Sequence, residues 1–255
     1  MVLQKLYLIS RLRKQQAPRN AMKPTILVIS CAHGSNEVPK KYWPLFEDKE
    51  LLLQTSRAYD IGAKYITQHL HKNLGCDAVE AKVTRLLIDC DHSPHHARCF
   101  SRYSKGLSAD KKQALIKTYY EPFHHDLQEK IAAHIAQGQQ VLHLSIFTFT
   151  PILKGLFLKT AIGVLYDAHR HAEKEVARIF HGILDTETPP YKIRHNFPFL
   201  GTHDYIVNSF RKKYAEQDYL GIKLGINQAL VPNAPEQAMV CKILAHALHE
   251  LLNLL

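Results

Sequence analysis

Val141 to Ile146 (VLHLSI) is a near-continuous apolar run, and such a run fits a strand covered on both faces of a sheet. Similar β-rich runs recur at Thr25 to Ser30 (TILVIS), Val83 to Asp89 (VTRLLID), Ala161 to Tyr166 and Tyr219 to Ile226. Helix-like segments lie between them, and this alternation predicts an α/β layered fold. Glu50 to Asn73 reads as one helix, with a stripe at Leu53, Ala63, Ile66 and Leu70 and Gly75 after its end. Ser108 is placed to cap a helical region reaching Gln137, with Gly138 as the stop and Pro122 as a kink or break. A further helix is expected from Arg170 to Leu184, then a loop at Thr188, Pro189 and Pro190. Asn233 and Pro235 signal a C-terminal helix ending near Leu255.

The length of 255 residues suits one large domain or two small ones. No apolar run is long enough to span a membrane. The net charge is +10, partly from a leader in which Lys5, Arg11, Arg13, Lys14, Arg19 and Lys23 precede the first acidic residue, Glu37. Residues 1–21 are therefore expected to form a basic N-terminal extension, and residues 22–255 a single domain. The basic excess carries no stacking motif and no nucleic-acid module, so nucleic acid is not expected as a partner. The five cysteines include no CxxC pair. That pattern fits free thiols in a reducing, cytoplasmic setting.

In layered α/β folds ligands gather at the carboxyl ends of strands, here after Ser30, Asp89, Ile146, Tyr166 and Ile226. His33 and Glu37 follow the first strand within one helical turn, and imidazole with carboxylate can hold zinc with a position left open for water. A lone H-x-x-x-E is a weak signal, and a polar turn with a hydrogen-bonded histidine is the plainer reading. Arg85, Leu87, Asp89 and Asp91 alternate along VTRLLID and would share one strand face. A buried Arg and carboxylate there either bind a substrate or form a structural ion pair. His92, His95, His96, His124 and His125 are metal candidates or solvated polar surface. His143 lies about 13 Å along its strand from Phe147 and reads as a satisfied core histidine.

Taken in order, these segments resemble the N-formylglutamate amidohydrolase family. The matching blocks are CAHGSNEVP (Cys31–Pro39), YDIGA (Tyr59–Ala63), TRLLIDCDHS (Thr84–Ser93), the Tyr119, Pro122 and His124 region, HLSIFTFTP (His143–Pro151), GVLYDAHR (Gly163–Arg170), NFPFLGTHD (Asn196–Asp204) and GIKLGINQ (Gly221–Gln228). The resemblance implies a three-layer α/β/α sandwich around a mixed, mostly parallel sheet, of the zinc-peptidase and phosphorylase-hydrolase kind. It implies a zinc that polarises an amide carbonyl and activates water, a Glu that moves protons, and arginines that grip substrate carboxylates. The substrate would be N-formyl-glutamate or a related N-acyl amino acid.

Carried onto this sequence, His33 is the metal ligand, with Glu37 as its candidate companion. Asp89 and His124 are the candidate catalytic groups. Asn36, Arg85, Thr148, Arg170, Asn196 and Asp204 are candidates for binding substrate. The sequence also departs from the family's pattern. Ala32 stands where Glu is frequent, and Phe147 where the strand block carries a His ligand. Lys223 and Gly225 replace two Glu of the last block, and Asp91 and His92 replace an Asn-Arg pair. Phenylalanine cannot ligate zinc and glycine cannot move a proton, so impaired or altered hydrolysis is expected. The alternative is a non-catalytic relative that binds a small carboxylate or a protein partner.

Overall fold

The computed structural model describes residues 23–255 except 154, 188–191 and 204. The basic leader and the expected loop at Thr188 to Pro190 lie outside the described residues. Among the described residues the sheet has six strands: β1 (Thr25–Cys31), β2 (Asp77–Glu80), β3 (Gln140–Phe149), β6 (Thr160–Leu165), β7 (Lys192–His195) and β8 (Tyr219–Asn227). Their order is β2-β1-β3-β8-β6-β7. The β2, β1, β3 and β8 strands run parallel, while β6 is antiparallel to β8 and parallel to β7. A small antiparallel hairpin, β4 (Ile152–Leu153) with β5 (Leu156–Phe157), projects separately.

Among the described residues seven α-helices accompany the sheet: α1 (Glu50–Leu53), α2 (Ala63–Leu74), α3 (Ala109–Leu115), α4 (Glu121–Ala136), α5 (His171–Glu187), α6 (Ile206–Lys213) and α7 (Ala234–Leu252). Ile66 and Leu70 of α2, Phe180 of α5 and Leu244 and Leu248 of α7 form one core layer with β1, β3 and β8. Phe123, Leu127 and Ile131 of α4 and Phe210 of α6 form the other. With both faces covered, every residue of β8 and all of β3 after Gln140 are buried, which is why these strands read as apolar runs. No described helix is long and apolar enough to cross a membrane.

The helix punctuation holds where side chains can act locally. Gly75 closes α2 at φ +63, a conformation L side chains rarely adopt. Asn233 accepts from the Glu236 N–H at 3.4 Å at the start of α7. Ser108 caps α3 by accepting from the Lys111 N–H at 3.4 Å. The helix does not break at Pro122. A π-helical turn over Ile116–Tyr120 links α3 to α4, and the proline falls in α4's first turn, where no helical N–H is needed.

Two expectations fail. Glu50 to Asn73 is not one helix: α1 stops at Leu53, and Thr55 Oγ1 donates to the Leu52 carbonyl at 2.7 Å, competing with the helical ladder. The turns that follow carry Asp60, whose N–H donates to the His33 carbonyl at 2.8 Å. VTRLLID is not a strand. The Leu87 N–H donates to the Thr84 carbonyl at 2.9 Å, and Thr84 Oγ1 donates to the Ala58 carbonyl at 2.8 Å. The segment winds into turns, and the strand beside β1 is the earlier β2.

Candidate active site

A cavity of 640 Å³ opens at the carboxyl ends of β1 and β3, with walls of two kinds. One wall is charged. His33, just past β1, is buried between two carboxylates: Nε2 lies 2.7 Å from Asp89 Oδ1 and Nδ1 lies 3.6 Å from Asp60 Oδ2. Arg85 is ion-paired with Asp60. Asp89 also accepts from the Asp91 N–H at 2.9 Å. Asp91 in turn accepts from the Ile206 N–H at 3.3 Å, at the start of α6, and is ion-paired with Lys223 of β8. The Lys223 ammonium sits 3.9 Å from the Tyr205 ring centroid and 5.4 Å from that of Phe147, a cation–π arrangement.

Burial and the Arg85 charge push the His33 imidazole down. The Asp89 charge and the contacts to Asp60 and Asp89 overrule them and lift it to about 9. Burial would likewise raise Asp60 and Asp89. The Arg85 charge on Asp60, and the His33 charge on Asp89, hold both carboxyls below the usual carboxylate range. At neutral pH this wall is a lattice of mutually neutralising ions.

The other wall is apolar. Phe147 and Phe149 of β3, Leu158, Pro198 and Phe199 line it. Phe147 packs 6.3 Å from Phe149 and 6.1 Å from Phe199, ring centre to ring centre. Phe147 also faces Gly225 across the β3–β8 ladder. A Cβ at Gly225 would lie 2.4 Å from Phe147 Cζ, closer than real side chains approach. The ring occupies the space where any side chain at position 225 would begin. Two departures from the family pattern, Phe147 and Gly225, are thus one steric arrangement. Asp91 and Lys223, two further departures from that pattern, are likewise one arrangement, an acid paired with a base.

Of the ten residues carried over as metal, catalytic or substrate-binding candidates, four line the cavity: His33, Arg85, Asp89 and Thr148. Thr148 donates to the Ile61 carbonyl at 2.9 Å and accepts from Gln228 Nε2 at 3.0 Å. The others are engaged elsewhere. Glu37 is exposed and outside the cavity lining, because the chain turns at Ser35, whose hydroxyl accepts from the Glu37 N–H at 3.1 Å. Asn36 donates to the Leu53 carbonyl at 3.1 Å. His124 donates from Nε2 to the Cys90 carbonyl at 2.8 Å and stacks on Tyr120, lining a different hollow. Arg170 donates to the Tyr219 carbonyl at 2.7 Å and is ion-paired with buried Glu173, so it is structural. Asn196 accepts from the Tyr166 and Gly201 N–H groups, each at 3.0 Å, and shapes a loop. Asp204 lies outside the described residues. His143 is the core histidine expected, 2.8 Å from Ser30 Oγ and 2.7 Å from the Tyr219 hydroxyl.

Sequence reasoning passed over Asp60, Tyr205, Phe149 and Phe199. Asp60 lay inside the YDIGA block, and only a buried partner such as Arg85 would have drawn notice to it.

The donor set does not fit a zinc ion. Among the described residues no three His, Cys, Asp or Glu side chains converge to hold a metal. Both ring nitrogens of His33 face carboxylates, and a protonated imidazole has no lone pair to give. Phe147 offers no donor, and the Lys223 ammonium already supplies a positive charge beside Asp91.

The sequence matches the profile of the N-formylglutamate amidohydrolase family over residues 25–231. No curated protein matches it. Among solved structures, a gene product of Agrobacterium tumefaciens superposes with TM-score 0.77 at 24% identity, covering 91% of each chain. An N-formylglutamate amidohydrolase from Ralstonia eutropha superposes with TM-score 0.68 at 15% identity, covering 92% of this chain and 95% of that one. These likenesses are of fold, while the profile spans most of the sequence and every block quoted above. The chain belongs to the N-formylglutamate amidohydrolase family.

Proposed function

We propose that this chain binds a small carboxylate of the N-acyl amino acid class in the two-walled cavity, and that its hydrolysis of the formyl amide is impaired. The observation that carries this reading is the occupied wall. Lys223 neutralises Asp91, His33 is locked between Asp89 and Asp60, and Phe147 fills the space above Gly225. Arg85 and Lys223 are spoken for by Asp60 and Asp91, and exposed Arg98 at the cavity lining supplies positive charge for a ligand carboxylate. Water would have to attack without a Lewis acid and without a carboxylate at position 225 to accept its proton. Loss of a general base alone costs about 10²–10⁴-fold in rate. The five cysteines are all free and buried, which supports a reducing cytoplasmic site of action.

Calorimetric titration with N-formyl-L-glutamate and N-acetyl-L-glutamate, beside an assay of formate release, tests the reading. Binding without added zinc, and formate release at least about 10²-fold below rates typical of enzymes, are expected. Ordinary turnover that rises with stoichiometric zinc would overturn it.

A further inference from the structure

We infer that the ligand of this cavity is amphipathic: a carboxylate head with an apolar arm, either an aromatic or long aliphatic side chain or an extended acyl group. The inference rests on the cavity being the ligand site proposed above, and narrows the ligand it takes. The apolar wall is continuous over Phe147, Phe149, Leu158, Pro198 and Phe199, and Phe147, Phe149 and Leu165 form a buried cluster of their own with Leu158 and Phe199 packed on it. The side chains of that wall carry no charge, and the Lys223 ammonium 5.4 Å from the Phe147 ring centre is already paired with Asp91. A diacid such as N-formyl-glutamate would strip one carboxylate of water against aromatic rings, and an unpaired buried charge is costly. An apolar arm meets the same rings with a gain.

The wall also extends outward. The β4–β5 hairpin springs from Thr150 and Leu158, both in the cavity lining, and exposes Ile152 at 56%, Leu156 at 71% and Phe157 at 68%. Leu200, next to Phe199, is 54% exposed. These exposed apolar residues adjoin in sequence the lining residues Thr150, Leu158 and Phe199, on the side where a long arm would emerge. The cavity, of 640 Å³ and open to solvent, leaves room for an arm beside the carboxylate head.

The test compares three ligands on the full chain by calorimetry: N-formyl-L-glutamate, N-formyl-L-phenylalanine and N-octanoyl-glycine. At least one apolar-armed ligand is expected to bind tenfold or more tighter than N-formyl-L-glutamate. The phenylalanine and octanoyl ligands separate a side-chain arm from an acyl arm. Phe199→Ala and Leu158→Ala, both at half-buried loop positions, are expected to cut that ratio severalfold. Equal or tighter binding of N-formyl-L-glutamate would overturn the inference and leave the proposed function standing. Failure of all three to bind would overturn the proposed function, and the inference with it. A preference unchanged in both variants would overturn the assignment of the arm to this wall.

Discussion

The two walls of the cavity satisfy the same requirement by different physics. On the charged wall, ions answer ions: His33 by Asp89 and Asp60, Asp60 by Arg85, Asp91 by Lys223. On the apolar wall, volume answers volume: the Phe147 ring fills what Gly225 leaves open. A charge can be exchanged for another group if its partner changes too. A ring over a glycine must move before any atom can be added there. The sharpest test therefore falls on the apolar wall. Gly225→Glu should lower stability by about 4 kcal/mol or more in urea unfolding, because it forces the ring aside and buries an unpaired carboxylate. Adding Phe147→His to the same chain should return roughly 1–3 kcal/mol of that loss, the coupling expected of contacting side chains. If Gly225→Glu alone stayed within about 1 kcal/mol of the parent, the two positions would be independent and the steric account wrong.

On the charged wall, each half of the buried pair should fail alone. Lys223→Met leaves Asp91 unanswered, and Asp91→Asn leaves the ammonium unanswered. Each should cost about 3–5 kcal/mol, the usual result of stranding one buried charge. The double variant should cost much less than their sum, since it strands neither. Strict additivity in the double-mutant cycle would mean that the two side chains do not depend on each other.

How far the sequence revealed these walls depends on what each residue leans on. The strands β1, β3, β6 and β8 were legible because burial on both faces writes an uninterrupted apolar run. Gly75 and Asn233 were legible because a cap is local chemistry. The four-residue β2 strand, DAVE, has only one buried residue and left no comparable trace. VTRLLID misled for the opposite reason: Leu87 and Ile88 are buried from a turn, and burial alone wrote a strand-like run. In the site, His33, Arg85 and Asp89 were found through their blocks. Asn36, His124, Arg170 and Asn196 sat in equally suggestive blocks, yet backbone groups had already claimed them. The pairing of Phe147 with Gly225 needs the β3–β8 register, which no single strand contains.

Two buried histidines extend the contrast to pH. Burial, with the Lys223 and Arg211 charges, pushes His143 down to about 3, so folding favours its neutral form. Its contribution to stability is present above the unfolded value near 6.5 and is lost as pH falls from there towards 3. His33, lifted to about 9, contributes stability that is complete below 6.5 and lost as pH rises through 9. Each limb can slope by at most about 1.4 kcal/mol per pH unit for one proton. Unfolding free energies measured across pH should show both limbs, with His143→Gln flattening the acid one and His33→Gln the alkaline one. A variant whose limb kept the parent's slope would show that its histidine does not carry that dependence.

The smallest expected effect bears most directly on what the charged wall has become. A ligand that binds only the folded state stabilises it by about 2.7 kcal/mol at a hundredfold excess over its Kd. A zinc site of the kind the family pattern implies should therefore raise the unfolding midpoint sharply, and a chelator should lower it. Here the cation's neighbourhood already holds the Lys223 ammonium, and the imidazole at position 33 is committed to two carboxylates. Zinc would have to displace a proton from His33 and break its ion pairs before gaining its first ligand. Added zinc should accordingly shift stability by less than about 0.5 kcal/mol, the range of surface effects. The control is His33→Asn. A larger zinc effect that persists in the variant would come from histidines on the surface and leave the argument intact. A larger effect that disappears with His33 would mean that the ion lattice gives way to metal.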